Sequence, residues 1–489
     1  MISPVWNPAD DPQDDCYIEQ VMGRRHNLLQ QRNCVMAIES INPATGEILE
    51  RFAEWSAEET LGVIEDVHHA WLAWRQASFA ARAGLMKRAA AELVGNREEY
   101  ARIMALEMGK PVREGRGEVD KCAWVCDYYA DNAARFLEPE TAEGVGSEAY
   151  VAFRPLGVVL AVMPWNFPFW QVFRCAAPAL MAGNGIVLKH SSNVPRCALA
   201  IDELFRRCGF PENIFRTLLI GSGQVDAVLE NERVRGVALT GSGQAGSRVA
   251  ACAGKKLKKS VMELGGSDPF VVLADAEPGE AARTAALARC INSGQSCIAA
   301  KRFIIEESIY DRFMDCFRAE MANLTVGDPL DEATLVGPQA REDLMRELQD
   351  QVDDAIAQGA ELVLGGRPLE RKGYFYPPTI IAGVRPGMKA WHEELFGPVA
   401  SVIAVRDLDE AVEVANDTPF GLGGSVWTRD RKKGEEVAAR LEAGVVFVNG
   451  LVKSDPRLPF GGVKQSGYGR ELSHYGIREF VNIQTVVVM

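Results

Sequence analysis

Three short stretches of this 489-residue chain set a thiol, a carboxylate and an amide where their neighbours would alter their chemistry. In Asn292-Ser293-Gly294-Gln295-Ser296-Cys297 a cysteine follows a glycine turn and precedes Ile298-Ala299-Ala300-Lys301-Arg302, which reads as the opening of a helix. A thiol at a helix N-terminus feels the positive end of the dipole, which lowers its pKa and enriches the thiolate. In Val261-Met262-Glu263-Leu264-Gly265-Gly266 a carboxylate is embedded in apolar surroundings. Burial there raises its pKa toward that of a general base. In Met163-Pro164-Trp165-Asn166-Phe167-Pro168 two prolines stiffen the backbone around one amide. An asparagine held so rigidly is able to aim its NH2 at an oxyanion. A fourth stretch, Leu239-Thr240-Gly241-Ser242-Gly243-Gln244-Ala245-Gly246, follows a strand-like run and leads into a helix. Its backbone N–H groups suit a pyrophosphate, although it is neither a GxGxxG fingerprint nor a P-loop. Each stretch alone also fits a plain structural role; it is their joint occurrence in this order that carries weight.

Such side chains need rigid elements behind them. From about Ser56 to Phe136 apolar residues recur at helix-face spacing, with Ala70, Trp71 and Trp74, then Leu85, Met86, Ala89, Ala90 and Leu93. Val158–Met163, Gly185–Lys189 and Val237–Thr240 read as buried strands separated by helical stretches, one of which begins near Val194-Pro195. The rhythm restarts after Gly265-Gly266 with Pro269–Leu273, Arg302–Ile305 and Val399–Ala404. Alternation of this kind predicts α/β architecture with parallel sheets covered on both faces. Val481–Val488 and Ala149–Phe153 are β-branched or alternating and suit a small sheet used for oligomerisation. The reading divides the chain into a flexible extension (1–35), a nucleotide-binding domain (36–138 and 157–264), a catalytic domain (265–456) and bridging segments (139–156 and 457–489).

The bulk properties restrict function. A formal charge of −14 argues against a nucleic-acid partner, because phosphate backbones want a basic face. No apolar run reaches the roughly 18 residues that span a bilayer. The first 35 residues carry Asp10, Asp11, Asp14 and Asp15 before Arg24 and Arg25, unlike a secretory signal, so a cytoplasmic address is expected. Eleven scattered cysteines without a CxxC pair, and six scattered histidines, suggest neither a disulfide framework nor a metal site. Cys122 and Cys126 read as core residues on one helix face.

The set Pro-Trp-Asn-Phe-Pro (164–168), Thr-Gly-Ser with Gly246, Glu-Leu-Gly-Gly (263–266), Gly-Gln-x-Cys (294–297), Glu-x-Phe-Gly-Pro (394–398) and Pro-Phe-Gly-Gly (459–462) resembles the aldehyde dehydrogenase superfamily from about residue 38 to the end. The resemblance implies a Rossmann-like cofactor domain, an α/β catalytic domain and a small bridging sheet that pairs subunits into a homodimer or homotetramer. It implies Cys297 as nucleophile, Asn166 with the Cys297 N–H as oxyanion donors, and Glu263 as the base that hydrolyses a thioester. It further places Trp165, Gly241, Ser242, Gly246 and Leu264 around the cofactor, with Glu394 at the nicotinamide ribose, Phe396 near the ring and Lys189 at the adenosine ribose.

Many NAD-preferring relatives read Lys-Pro-x-Glu at the last of these positions, where this chain reads Lys189-His190-Ser191-Ser192. Without the glutamate a 2′-phosphate is not repelled, and Lys189 and Ser192 are able to bind it, so NADP+ is expected to be favoured, with NAD+ possible. Trp165 to Gly185, Glu263 to Phe270 and Gly450 to Gly462 resemble bacterial and cyanobacterial succinate-semialdehyde dehydrogenases. That implies a substrate pocket with Trp170, the Arg174 guanidinium clamping a distal carboxylate, and help from the Ser454 hydroxyl. Arg457 is a second candidate cation. A further arginine that some such enzymes carry six residues before the nucleophile is Ile291 here. The position of a redox-switch cysteine two residues after the nucleophile is Ala299. Other readings are a dehydrogenase for glutarate semialdehyde, an aminoaldehyde or medium-chain aldehydes, and a relative with a retired site.

Overall fold

The computed structural model describes residues 37–489. The expectation about residues 1–35 therefore lies outside the described residues. Four helices, Ala57–Trp74, Phe79–Gly95, Arg97–Met108 and Val112–Phe136, account for the long helical stretch. Ser56 and Glu59 form a capping box at the first, which satisfies otherwise orphaned N–H groups. Trp71, Trp74, Met86, Ala89, Ala90 and Leu93 are buried on the faces that the periodicity marks, as are Cys122 and Cys126. Among the described residues no helix is long and apolar enough to cross a membrane.

Two sheets follow. The first has six strands in the order Gly467–Tyr468, Lys259–Glu263, Val234–Thr240, Val158–Met163, Gly185–His190, Phe215–Thr217. All its pairings are parallel except that of Gly467–Tyr468 with Glu263 and Met262. The second has seven strands in the order Glu361–Leu364, Thr379–Ala382, Val399–Val405, Ala300–Glu306, Asp268–Val272, Gly423–Trp427, Val445–Val448. Only its first pair is antiparallel. Buried on both faces, the central strands read as continuous apolar runs rather than alternations. The chain passes from one sheet to the other through Leu264-Gly265-Gly266-Ser267, between strand-ending Glu263 and strand-opening Asp268.

A third, three-stranded antiparallel sheet joins Val481–Val488 to Glu148–Pro155, residue for residue, and the latter to Glu140–Thr141. Asn184 ties it to the first sheet: its Oδ1 accepts from the N–H of Leu156 and Gly157, and its Nδ2 donates to the Phe480 carbonyl. Val481–Val488 is an edge strand with Ile483, Val487 and Val488 exposed.

One sequence expectation is overturned here. Ile298–Arg302 is not a helix: Cys297 and Ile298 form a turn, and Ala300–Glu306 is a central strand of the second sheet. Lys301 and Arg302 mimic an exposed helical face in the sequence, yet both are buried. Backbone carbonyls replace water around their charged ends. Lys301 Nζ donates to the carbonyls of Ser296, Cys297 and Ala299, and Arg302 donates to those of Ser267, Val414 and Ala415.

Candidate active site

Asn166 follows the strand Val158–Met163, on the loop that precedes the helix Trp170–Met181. It is buried, and its amide is oriented from both ends: Nδ2 donates to the Gln295 carbonyl at 3.0 Å, while Oδ1 accepts from Gln171 Nε2 at 3.1 Å. One Nδ2 hydrogen stays uncommitted in this pattern. The loop is pinned from below by His190, whose Nδ1 accepts the Ser191 N–H, so that Nε2 carries the proton and donates to the Pro168 carbonyl. Burial pushes the His190 pKa down to about 4, which keeps the ring neutral.

Cys297 reaches the same cleft from the other sheet. The residues before it run through three successive left-handed conformations, at Asn292 (φ 54), Ser293 (φ 57) and Gly294 (φ 77). Two of these are not glycine and cost of order 1 kcal/mol or more each. The loop holds them by hydrogen bonds. Asn292 Nδ2 donates to the Asn166 carbonyl at 2.7 Å, Glu114 accepts the Asn292 N–H, Ser293 Oγ accepts from Gly337, and Gln295 Oε1 accepts from Ala340. At Gly266 a Cβ would lie 2.6 Å from the Cys297 carbonyl, so the Glu-Leu-Gly-Gly glycine lets the nucleophile's backbone approach the sheet crossing.

Cys297 does not open a helix. Burial, reinforced by the nearby Glu394 carboxylate, pushes its thiol up to about 12, although Lys301 and Arg174 oppose the shift. The expectation of a depressed thiol pKa is thus reversed at this resting site: the helix on which it depended is a strand, and burial outweighs the nearby cations.

Glu263 ends its strand and is 2% exposed, so its carboxyl is buried as the apolar surroundings suggest. Burial raises its pKa well above the ordinary carboxylate value; Arg174 pulls it down and Glu471 pushes it up. Neither carboxyl oxygen has a hydrogen-bond partner, and a Cβ on Gly461 would stand 2.7 Å from Oε1.

The side chains assigned to the aldehyde lie on the helix Trp170–Met181 and the loop around Ser454. Trp170, Arg174 and Ser454 are all buried. Sequence reasoning left the Arg174 guanidinium free for substrate; the structure pairs it with Glu471, lets it donate to Thr240 Oγ1 at 3.3 Å and lays it over the Phe460 ring. A buried guanidinium demands a counter-charge, and Glu471 supplies it from far along the chain. Arg457 is likewise paired, with Asp455.

Of the residues assigned to the cofactor, Trp165, Gly241, Ser242, Leu264, Glu394 and Phe396 line a cleft of about 480 Å³ together with Asn166 and Cys297, whereas Gly246, Lys189 and Ser192 lie outside its lining. Ser242 caps the helix Gly243–Lys255, whose first residues are exposed and present unpaired N–H groups. Gly246 has no room for a Cβ beside Leu264, so the helix packs close to the crossing. Trp165 and Phe396 meet edge to face at 5.7 Å. Glu394 sits 3.3 Å from Lys301 and accepts the Gly266 N–H. Lys189, at the end of the neighbouring strand, is 8% exposed with no carboxylate at ion-pair distance among the described residues, and Ser192 is exposed just beyond. Donors at a helix start, an aromatic wall and an unpaired buried cation fit a dinucleotide carrying an extra phosphate.

The aldehyde dehydrogenase family model matches residues 30–486. The chain belongs to this family. Among its relatives a Synechocystis protein named probable succinate-semialdehyde dehydrogenase [NADP(+)] is 48% identical over 451 residues, covering 92% of this chain and 99% of that one. A Mycobacterium tuberculosis protein named succinate-semialdehyde dehydrogenase [NADP(+)] 1 is 51% identical over 454 residues, covering 92% and 99%. The crystal structure of succinic semialdehyde dehydrogenase from Streptococcus pyogenes in complex with NADP+ is 39% identical, with a TM-score of 0.90, covering 92% of this chain and 99% of that one.

Several side chains that hold this aldehyde dehydrogenase site together escaped the sequence reading. Glu118 pairs with Lys110 in the interior and accepts the N–H groups of Phe169 and Trp170, so it caps the helix that carries Trp170 and Arg174. Glu114 braces the nucleophile loop, and burial raises its pKa to about 7. Lys301 braces the same loop from the strand side. The helix Val112–Phe136 reads as strongly charged, and only burial separates its structural acids from its solvated ones.

Proposed function

We propose that this aldehyde dehydrogenase oxidises succinate semialdehyde to succinate with NADP+ in preference to NAD+. The observation that carries the chemistry is the meeting of Cys297 and Asn166 on one wall of a cleft whose floor is the N-terminus of a helix. The Cys297 sulfur adds to the aldehyde carbon, and the oxygen that becomes anionic accepts from Asn166 Nδ2 and the Cys297 N–H. Bound NADP+ supplies the hydride acceptor. What stays on Cys297 is a thioester, and Glu263 accepts a proton from the water that hydrolyses it. A carboxyl with a raised pKa and no competing hydrogen bond suits that duty.

The names of the relatives support the substrate and cofactor, together with the buried Trp170 and Ser454 and the absence of a carboxylate at Ser192. Subunit pairing through the exposed edge of Val481–Val488, giving a homodimer or homotetramer, belongs to the same reading. So does a cytoplasmic location, supported by nine free cysteines among the described residues. Initial rates with succinate semialdehyde and with butanal, each with NADP+ and NAD+, test the proposal. A higher kcat/KM for the semialdehyde with NADP+ is the result required. Equal efficiency on butanal refutes the substrate, and a preference for NAD+ refutes the cofactor.

A further inference from the structure

The two arginines that the sequence offers to a substrate carboxylate are both spoken for. Arg174 is paired with Glu471, and Arg457 with Asp455, which it contacts through both its side chain and its own N–H. A different cation, Lys121 on the helix Val112–Phe136, touches both Ser454 and Trp170. Its ammonium donates to Ser454 Oγ at 2.7 Å and lies 4.4 Å from the centre of the Trp170 ring. Among the described residues no carboxylate stands within ion-pair distance of it. The acids nearest to it, Glu118 and Asp455, are committed to Lys110 and Arg457.

We propose that Lys121 is the specificity-determining cation that receives the distal carboxylate of the aldehyde, with Ser454 as its partner. The inference rests on the succinate-semialdehyde reading and deepens it. An ammonium has three donors; Ser454 takes one and the Trp170 face attracts the charge, which leaves donors for an anion. Because the lysine donates to Ser454 Oγ, that hydroxyl keeps its own hydrogen and adds a second donor to the same spot. Arg174 lies within electrostatic reach of Lys121 and of Cys297, which links the lysine's surroundings to those of the nucleophile. The Trp170 ring then packs along the methylenes between aldehyde and carboxylate. Arg174, neutralised by Glu471, positions the wall rather than binding the anion.

The test is the ratio of kcat/KM for succinate semialdehyde to that for butanal, in the full-length enzyme and in Lys121→Met, Lys121→Arg and Lys121→Glu. Loss of a charge-assisted contact lowers this ratio about ten- to a hundredfold in Lys121→Met, mainly through KM, and Lys121→Arg keeps most of it. Lys121→Glu is expected to raise the ratio for 3-aminopropanal, whose ammonium replaces the carboxylate, a gain that a merely structural lysine would not produce. A wild type that prefers succinate semialdehyde, with a ratio in Lys121→Met within about twofold of it, overturns the role of Lys121 and leaves the substrate standing. A wild type without preference for the semialdehyde overturns both.

Discussion

Replacing Arg174 is the obvious first mutation, and its outcome separates the sequence expectation from the structure. If the guanidinium were free for substrate, Arg174→Met would cost only the recognition of a carboxylate. The structure instead surrounds it with Glu471, Thr240 and Phe460, next to a Glu263 that has no other partner. Removing it strands two buried carboxylates. Breaking a buried pair in this way costs about 3–5 kcal/mol. With a denaturant dependence above the about 1–3 kcal/mol per molar of small proteins, the urea midpoint falls by about 1 M.

The loss is pH-dependent, and its sign follows from linkage. Burial raises the pKa of Glu471 in the folded chain, and Arg174 is what counters that shift. Without the arginine, the folded state holds the Glu471 proton more tightly than the unfolded state does. Stability then falls as pH rises above the unfolded value, and the deficit is smaller at pH 5.5 than at pH 8. Arg174→Met combined with Glu471→Gln removes both charges and restores most of the midpoint. It does not restore activity, since Glu263 loses the cation that lowers its pKa; oxidation of succinate semialdehyde and of butanal falls together. Urea unfolding followed by tryptophan fluorescence at the two pH values, with kcat/KM for both aldehydes, reads all of this. A single mutant as stable as wild type that loses succinate semialdehyde alone refutes the reasoning and returns Arg174 to the substrate.

Two further outcomes follow from the site. With its thiol pushed up to about 12, Cys297 in the cofactor-free enzyme reacts with iodoacetamide at a rate that climbs with each pH unit from 7 to 9.5, because only the thiolate attacks. A plateau below pH 8 contradicts that assignment. Ser192→Glu places a carboxylate where a 2′-phosphate is proposed to sit; the kcat/KM ratio of NADP+ to NAD+ should drop about tenfold or more, and an unchanged ratio moves the phosphate elsewhere.

Much of this site was legible because its parts are local. Asn166, Glu263 and Ser242 all lie at or just beyond strand ends that the apolar runs mark, and the turn residues around them are specific. What the sequence concealed is where charge is buried. Lys301 and Arg302 look like the wet side of a helix, and only their solvation by backbone carbonyls explains a strand there. That misreading removed the reason to expect a low Cys297 pKa, and burial, equally hidden from the sequence, raises it. The partners of Arg174 and Asn292 are far away in sequence, so no local pattern announces Glu471 or Glu114. Lys121 shares a helix with many solvated charges, and its lack of a carboxylate is visible only in three dimensions.

The left-handed run at Asn292, Ser293 and Gly294 bears on recombination between relatives. A Cβ at Gly294 would collide with the backbone of Gly397, so the turn before the nucleophile and the Glu394–Pro398 motif interlock at van der Waals range. Ser293 and Gln339 add a second clasp, through the Ser293 carbonyl. A chimera whose crossover falls between these segments imports one half of the lock without the other. Its parents' folds would both survive, while the nucleophile would lose its aim.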